Sequence, residues 1–198
     1  MVLVQGEGGS GMTEAPAGED AEGRVLDAAE ELFYAHGLQA VGMDALRTAS
    51  GVSLKRLYRL FPSKEVLVEA YLRRRDERWR AELAAYAGAR PAGRERLLAV
   101  FDWLGTWFAE PGFRGCAFVN SFGELGASSP GVAAAARAHK DAFRRYLAGL
   151  VAETGAPAHL TDHLLLLAEG AITTAALSGA AAPAHQARQA ALVLLDAA

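Results

Sequence analysis

The 198-residue chain has one cysteine, Cys116, so no internal disulfide and no cysteine-based zinc site can form. β-Branched residues are few and no stretch alternates apolar with polar side chains, which removes the strand signal. Long hydrophobic runs are also missing. The longest, around residues 164–167, meets Glu169 within a few residues and falls short of a bilayer span. No charged-then-apolar leader pattern opens the chain. Internal repeats, a phosphate-binding glycine loop, metal-ligand spacing and a nucleophile–base motif are all lacking. These absences predict a cytoplasmic all-α protein with no cofactor, no metal and no membrane partner. They leave little from which a catalytic site could be assembled.

Apolar residues make up 52% of the chain, enough for a sizeable core, and alanine and leucine dominate them. Residues 1–18 are glycine-rich without periodic apolar positions and read as a flexible tail, within which Met12 is an alternative start. A first helix is expected over 20–36, capped by Asp20 and stopped by Gly37, with Val25, Leu26, Ala29, Leu32 and Phe33 on one face. A long helix is expected over 63–87. Beyond the break at 88–93, helices are expected at about 94–109, 115–127, 131–153, 158–179 and 184–197, punctuated by Pro and Gly. The predicted organisation is a tail (1–18), a small head (19–71) and a larger body (72–198), with the 63–87 helix shared by both.

Residues 43–62 read as two short helices pinched at Ser50-Gly51-Val52-Ser53. Gly51 suits the left-handed end of the first, Ser53 caps the second, and Pro62 stops it. Leu46, Ala49, Val52 and Leu57 face inward, while Lys55, Arg56 and Arg59 project outward. The net charge of −3 hides an asymmetry: residues 43–80 carry ten basic and five acidic side chains, a local balance of +5. A helix, a tight turn and a basic second helix suit a DNA major groove. An ordinary helical hairpin with a solvated charged face has the same spacing. The Arg73-Arg74-Arg75 run reads as a solvated face paired with Asp76 and Glu77.

The order and spacing of several stretches resemble the DNA-binding domain of the TetR (tetracycline-repressor-like) family of transcriptional regulators. They are Val25-Leu26-Asp27-Ala28-Ala29-Glu30-Glu31-Leu32-Phe33, His36-Gly37, Met43-Asp44-Ala45-Leu46, Gly51-Val52-Ser53 and the run from Leu57 to Glu65. The Arg114-Gly115-Cys116-Ala117-Phe118-Val119-Asn120 run resembles one group of the family's ligand-binding domains. Two departures stand out. Gly42 occupies the place where the family often has a capping threonine, and Lys55-Arg56 replaces a small pair before Leu57-Tyr58.

The resemblance implies an all-α, helix-turn-helix homodimer that binds an operator on double-stranded DNA and is released by a small, largely apolar or aromatic effector. Resemblance and charge together place Ser53, Lys55, Arg56, Tyr58, Arg59 and Lys64 on the DNA face, with Arg24 and Arg47 as further phosphate contacts. Lys55 and Arg56 are the expected base readers. Aromatics at helical spacing are ordinarily core, but the resemblance implies an effector pocket in this body, lined by Trp103, Trp107, Phe118, Phe122 and Phe143, with Asn120, Glu124, His139 and Thr173 as its polar groups. Leu160, Leu164, Leu167, Ala171, Ala175, Ala187, Ala191 and Leu194 are the expected dimer interface. The alternatives are a helical interaction module with a non-DNA-binding head, or a small enzyme using Glu124, His139 or Asp162.

Overall fold

A computed structural model describes residues 19–198, so the expected tail and the Met12 start lie outside the described residues. Among the described residues the regular structure is helical throughout: α1 (Glu19–His36), α2 (Met43–Ser50), α3 (Leu54–Leu60), α4 (Lys64–Gly88), α5 (Arg94–Phe108), α6 (Ala117–Leu125), α7 (Pro130–Thr154), α8 (Leu160–Ser178) and α9 (Ala182–Asp196). Asp20 lies inside α1 rather than capping it, because the helix begins at Glu19. Pro183, expected as a breaker before the last helix, sits in its first turn, where its missing N–H has no partner to lose.

The head forms because its apolar residues recur at helical spacing. Val25, Ala29 and Phe33 of α1 meet Leu46 of α2 and Leu57 of α3, all buried, each contributing about 1.5–3 kcal/mol if large and fully sequestered. The turns take the shapes their residues allow. Gly51 closes α2 at φ 65°, and Gly37 ends α1 at φ 88°, both left-handed. Gly42 begins α2 in extended backbone with no side-chain cap. Ser53 Oγ accepts the Arg56 N–H and Ser63 Oγ the Val66 N–H, starting α3 and α4.

From the head, α4 runs on into the body and packs against α1, α5 and α7. In the body α5 is central, touching α7, α8 and α9, while α8 and α9 pack on each other and α6 lies on α7. The large fully buried side chains Leu97, Phe101, Leu104, Phe143 and Leu147 form its core. One helix, α8, is long and apolar enough to cross a membrane by length and composition alone, against the expectation from the sequence. Its Leu160, Leu164, Ala168 and Ala171 are buried against neighbouring helices, as in the core helix of a bundle.

Candidate nucleic-acid interface and effector cleft

In α3, Leu57 points into the head core and sets the rotation of the helix. Leu54, Lys55, Tyr58 and Arg59 are then exposed at i, i+1, i+4 and i+5. Arg56, expected to share base reading with Lys55, is half-buried because it lies one position from Leu57 on the side turned toward Leu60. The outward stripe instead includes Leu54, a residue missed because its type suggests core. Position rather than residue type was the available signal. Ser53 is exposed, with its hydroxyl capping α3. Lys64 opens α4 in its first turn and is half-buried.

The two further cations have local duties. Arg24 Nε donates to the Ser50 carbonyl at 3.3 Å, tying α1 to the end of α2. Arg47 Nε reaches Asp44 Oδ1 at 3.3 Å, one turn back on the exposed side of α2. In the arginine run of α4, Arg73 is exposed as expected, but Arg74 and Arg75 do not pair with Asp76 and Glu77. Arg74 pairs with Asp27, and Arg75 and Arg78 converge on Glu30, so α1 supplies the acids and α4 is fastened to the head. Asp76 instead takes Arg80 and His139. The +5 balance of residues 43–80 therefore overstates the charge available to DNA.

In the body, Trp103, Trp107, Phe118 and Phe143 pack into one buried cluster around Trp79 and His139, while Phe118 and Phe122 also border an open groove of about 350 Å³ on the outer side of α6. Trp79 stands edge-on to Trp103 (5.1 Å between ring centroids), Trp107 (5.9 Å) and Phe143 (5.2 Å), and Phe118 stacks on His139 at 3.8 Å. The void between Trp79, Trp107, Phe118 and His139 measures about 10 Å³ and could hold at most a single water. Cys116 is buried there and accepts a hydrogen bond from Lys140 Nζ at 3.3 Å. Lys140 is otherwise paired with Glu169 at 2.7 Å.

His139 Nδ1 lies 2.7 Å from Asp76 Oδ1, which requires Nδ1–H to donate in the neutral ring. Burial pushes its pKa down to about 4 and outweighs the pull of the Asp76 hydrogen bond, with nearby Lys140 adding to the depression. Burial raises the Asp76 pKa, but hydrogen bonds from Arg80 and His139 outweigh it and hold that carboxyl low. Between the ordinary histidine pKa and about 4 the unfolded chain binds the extra proton. Stability is therefore expected to fall by about 3 kcal/mol at most as pH drops through that window. Asp76 adds a further loss at lower pH, as its own folded pKa is crossed. Thermal melts of the protein and of His139→Phe between neutral pH and pH ~4 check this. The variant should lose most of the slope, and an unchanged slope would rule His139 out.

The remaining expected pocket residues lie elsewhere. Asn120 Nδ2 donates to the Arg114 carbonyl at 2.9 Å. Phe122 is half-exposed beside Val119 on the outer side of α6. Thr173 is on the exposed face of α8. Glu124 reaches back to the head, where its two carboxylate oxygens accept the Leu38 N–H at 3.0 Å and the Gln39 N–H at 2.9 Å. Gly37 makes this possible, since a Cβ there would come within 2.9 Å of the carboxylate. At the other end of α6, the Tyr34 hydroxyl donates to the Gly115 carbonyl and accepts the Arg114 N–H, both at 2.8 Å. Two clasps thus hold α6 and its leading loop to α1 and the turn that follows it. Glu124→Ala would leave the buried Leu38 amide without its acceptor, costing about 1–3 kcal/mol. Faster hydrogen exchange at residues 37–40, with the α3 amides unchanged, is the expected signature.

The roomy cleft is lined jointly by head and body. About 400 Å³ lies between α1, α4 and the loop after α5, bounded by Tyr34, Arg75, Trp79, Trp107 and Phe113. Trp107 is the one expected effector residue that borders it. The expected dimer residues Leu160, Leu164, Ala171 and Ala175 of α8, and Ala187 and Ala191 of α9, are buried within the chain, where α8, α9 and α5 pack together. Leu167 and Leu194 are half-buried. The outward stripe of α8 is Leu166, Gly170, Thr173 and Leu177, with Val193 exposed on α9.

A three-helix head presenting a short cationic helix, joined by a long shared helix to a helical body, defines a helix-turn-helix DNA-binding regulator. Residues 25–71 match the family model for bacterial regulatory proteins of the tetR family, and residues 93–191 match that of the tetracyclin repressor-like C-terminal domain. The chain belongs to the TetR family of transcriptional regulators. A TetR-family transcriptional regulator from Streptomyces coelicolor is 31% identical, covering 90% of this chain and 95% of that one, with a TM-score of 0.83. A TetR-type regulator from Streptomyces avermitilis is 29% identical over 90% of this chain and 97% of that one, with a TM-score of 0.78. An uncharacterized HTH-type transcriptional regulator of Mycobacterium tuberculosis is 39% identical over 80 residues, 40% of the length of each chain.

Proposed function

We propose that the protein is a ligand-responsive cytoplasmic repressor, binding a palindromic operator as a homodimer and leaving it when a small aromatic effector occupies the body. The observation that carries this reading is the double clasp of α6 and its leading loop on α1 and the turn that follows it, made by Glu124 and Tyr34. Beside it, the 400 Å³ cleft has walls from both the head and the body. A ligand there would touch both units at once and so favour one relative arrangement of head and body over others, which is the condition for shifting their populations.

The head covers residues 19–71 and the body 72–198, with α4 as the common lever. Base reading falls to Lys55 and Arg59, with Leu54 offering apolar contact to a thymine methyl and Tyr58 and Lys64 positioning the backbone. The dimer forms through the outward stripe of α8 with Val193 of α9, which would cover Leu177 and Leu166, 85% and 70% exposed in the single chain. A two-fold dimer doubles the base contacts of a recognition helix only seven residues long. Selection of genomic fragments on the immobilised protein, followed by titration of the recovered fragment, tests the reading. A two-fold symmetric motif is expected. Retention that ignores sequence would overturn it.

A further inference from the structure

We propose that the cleft between α1, α4 and the loop after α5 binds an aromatic carboxylate, gripped by the Arg75 guanidinium. The proposal rests on the ligand-responsive reading above and adds the chemistry of the ligand.

Arg75 is 9% exposed, a cation with nearly all its surface removed from bulk water. Its Nη1 donates to Glu30 Oε1 at 2.7 Å, and its guanidinium carbon sits 4.1 Å from the centre of the Tyr34 ring. A guanidinium has five N–H donors. Among the described residues, Nε and Nη2 of Arg75 make no hydrogen bond. Glu30 is a shared partner, because Arg78 also bonds it and Arg74 lies 3.9 Å from it. Arg74 and Arg78 have further carboxylates in Asp27 and Glu82, whereas Arg75 has Glu30 alone, and this most buried of the three borders the cleft with donors to offer. Unused donors on a buried guanidinium are what a second carboxylate would satisfy, and the fork of the guanidinium suits it in bidentate fashion.

Acidic residues at the cleft do not reverse that sign. Glu82 is paired with Arg78, while Glu31 and Glu110 are exposed, where water and salt weaken their field. The walls supply the rest of the selectivity. Trp107 and Phe113 meet edge-on at 5.0 Å, Trp79 adjoins Trp107, and Tyr34 lies opposite on α1. A flat ring has faces and edges to meet there, and a volume of about 400 Å³ falls in the range of small-molecule sites. A carboxylate on Nε and Nη2 would share Arg75 with Glu30 and repel it as a like charge, so binding would loosen α1 of the head from α4.

Calorimetric titration of the full chain with 2-naphthoate, its neutral amide and 2-naphthylmethylammonium tests the assignment. The carboxylate is expected to bind saturably, about tenfold or more tighter than the amide, with the ammonium weakest. Arg75→Gln should weaken it by a similar factor. Glu30→Gln should tighten it about threefold by removing the like charge, a gain that misfolding does not produce. The amide or the ammonium binding as tightly, no binding of the acid at millimolar concentration, or Glu30→Gln leaving its affinity unchanged would each overturn the proposal. Operator release is read separately. The acid bound through Arg75 with operator affinity unaltered would keep the site and retire the ligand-responsive reading. Release by a compound whose affinity ignores Arg75 and Glu30 would do the reverse.

Discussion

Trp79→Ala should destabilise the protein by about 3–5 kcal/mol, the usual cost of truncating a large buried aromatic. For a domain of this length the melting temperature should fall by roughly 2–4 °C per kcal/mol. The expectation rests on position as well as size. Trp79 is 7% exposed, and four rings from two other helices stand around it: Trp103 and Trp107 of α5, and His139 and Phe143 of α7. These edge-to-face contacts add to the area term. With α4 between α5 and α7, no single neighbour can collapse into the gap. Trp79→Phe, keeping a ring but losing volume, should cost less than half as much. Melts followed by circular dichroism decide it, and a loss below ~1 kcal/mol for the alanine variant would mean the cluster relaxes freely.

The same cluster shows where reading the sequence stopped. Trp103, Trp107, Phe118 and Phe143 are grouped, with Phe122, as the lining of an effector pocket by resemblance, and as ordinary core by helical spacing. Whether such a set encloses space depends on rotamers and interhelical distances, which periodicity does not carry. The Gly37 and Gly51 stops and the Ser53 cap were legible because each depends on local backbone chemistry. The partners of Arg74, Arg75 and Arg78 were not, since Asp27 and Glu30 lie 45–48 positions away. Sequence proximity pointed to Asp76 and Glu77, and tertiary packing chose α1.

Small-residue faces misled for a related reason. Ala171, Ala175, Ala187 and Ala191 do allow close helix approach, and the fold uses them where α8 and α9 meet each other and α5. An intrachain contact and an interface between copies ask for the same residue types. Only the topology separates them, leaving Leu166, Leu177 and Val193 on the outside. Glu124 shows a different gap. A carboxylate one turn after Asn120 suggested a pocket group, whereas its partners are backbone amides freed by the left-handed turn at Gly37, which no side-chain pattern announces.

The other large effect is expected at the recognition helix. Lys55→Ala should weaken binding to the selected operator far more than Arg56→Ala does, because Lys55 is fully on the outward stripe while Arg56 is turned toward the head. A good cationic contact to guanine acceptors contributes about 1–3 kcal/mol of discrimination, and a two-fold dimer makes it twice. The combined loss is then about 2–6 kcal/mol, or roughly 30-fold at the low end. Binding to unrelated DNA should change only slightly, since that affinity comes from phosphate contacts. Lys64→Gln supplies the contrast. At the first turn of α4 it should weaken operator and random DNA alike and lower the salt slope by about one unit per protomer. Titrations of the three variants on both DNAs at several salt concentrations separate the roles. Equal losses for Lys55→Ala on the two DNAs would make Lys55 a backbone contact and move base reading along the same stripe to Arg59.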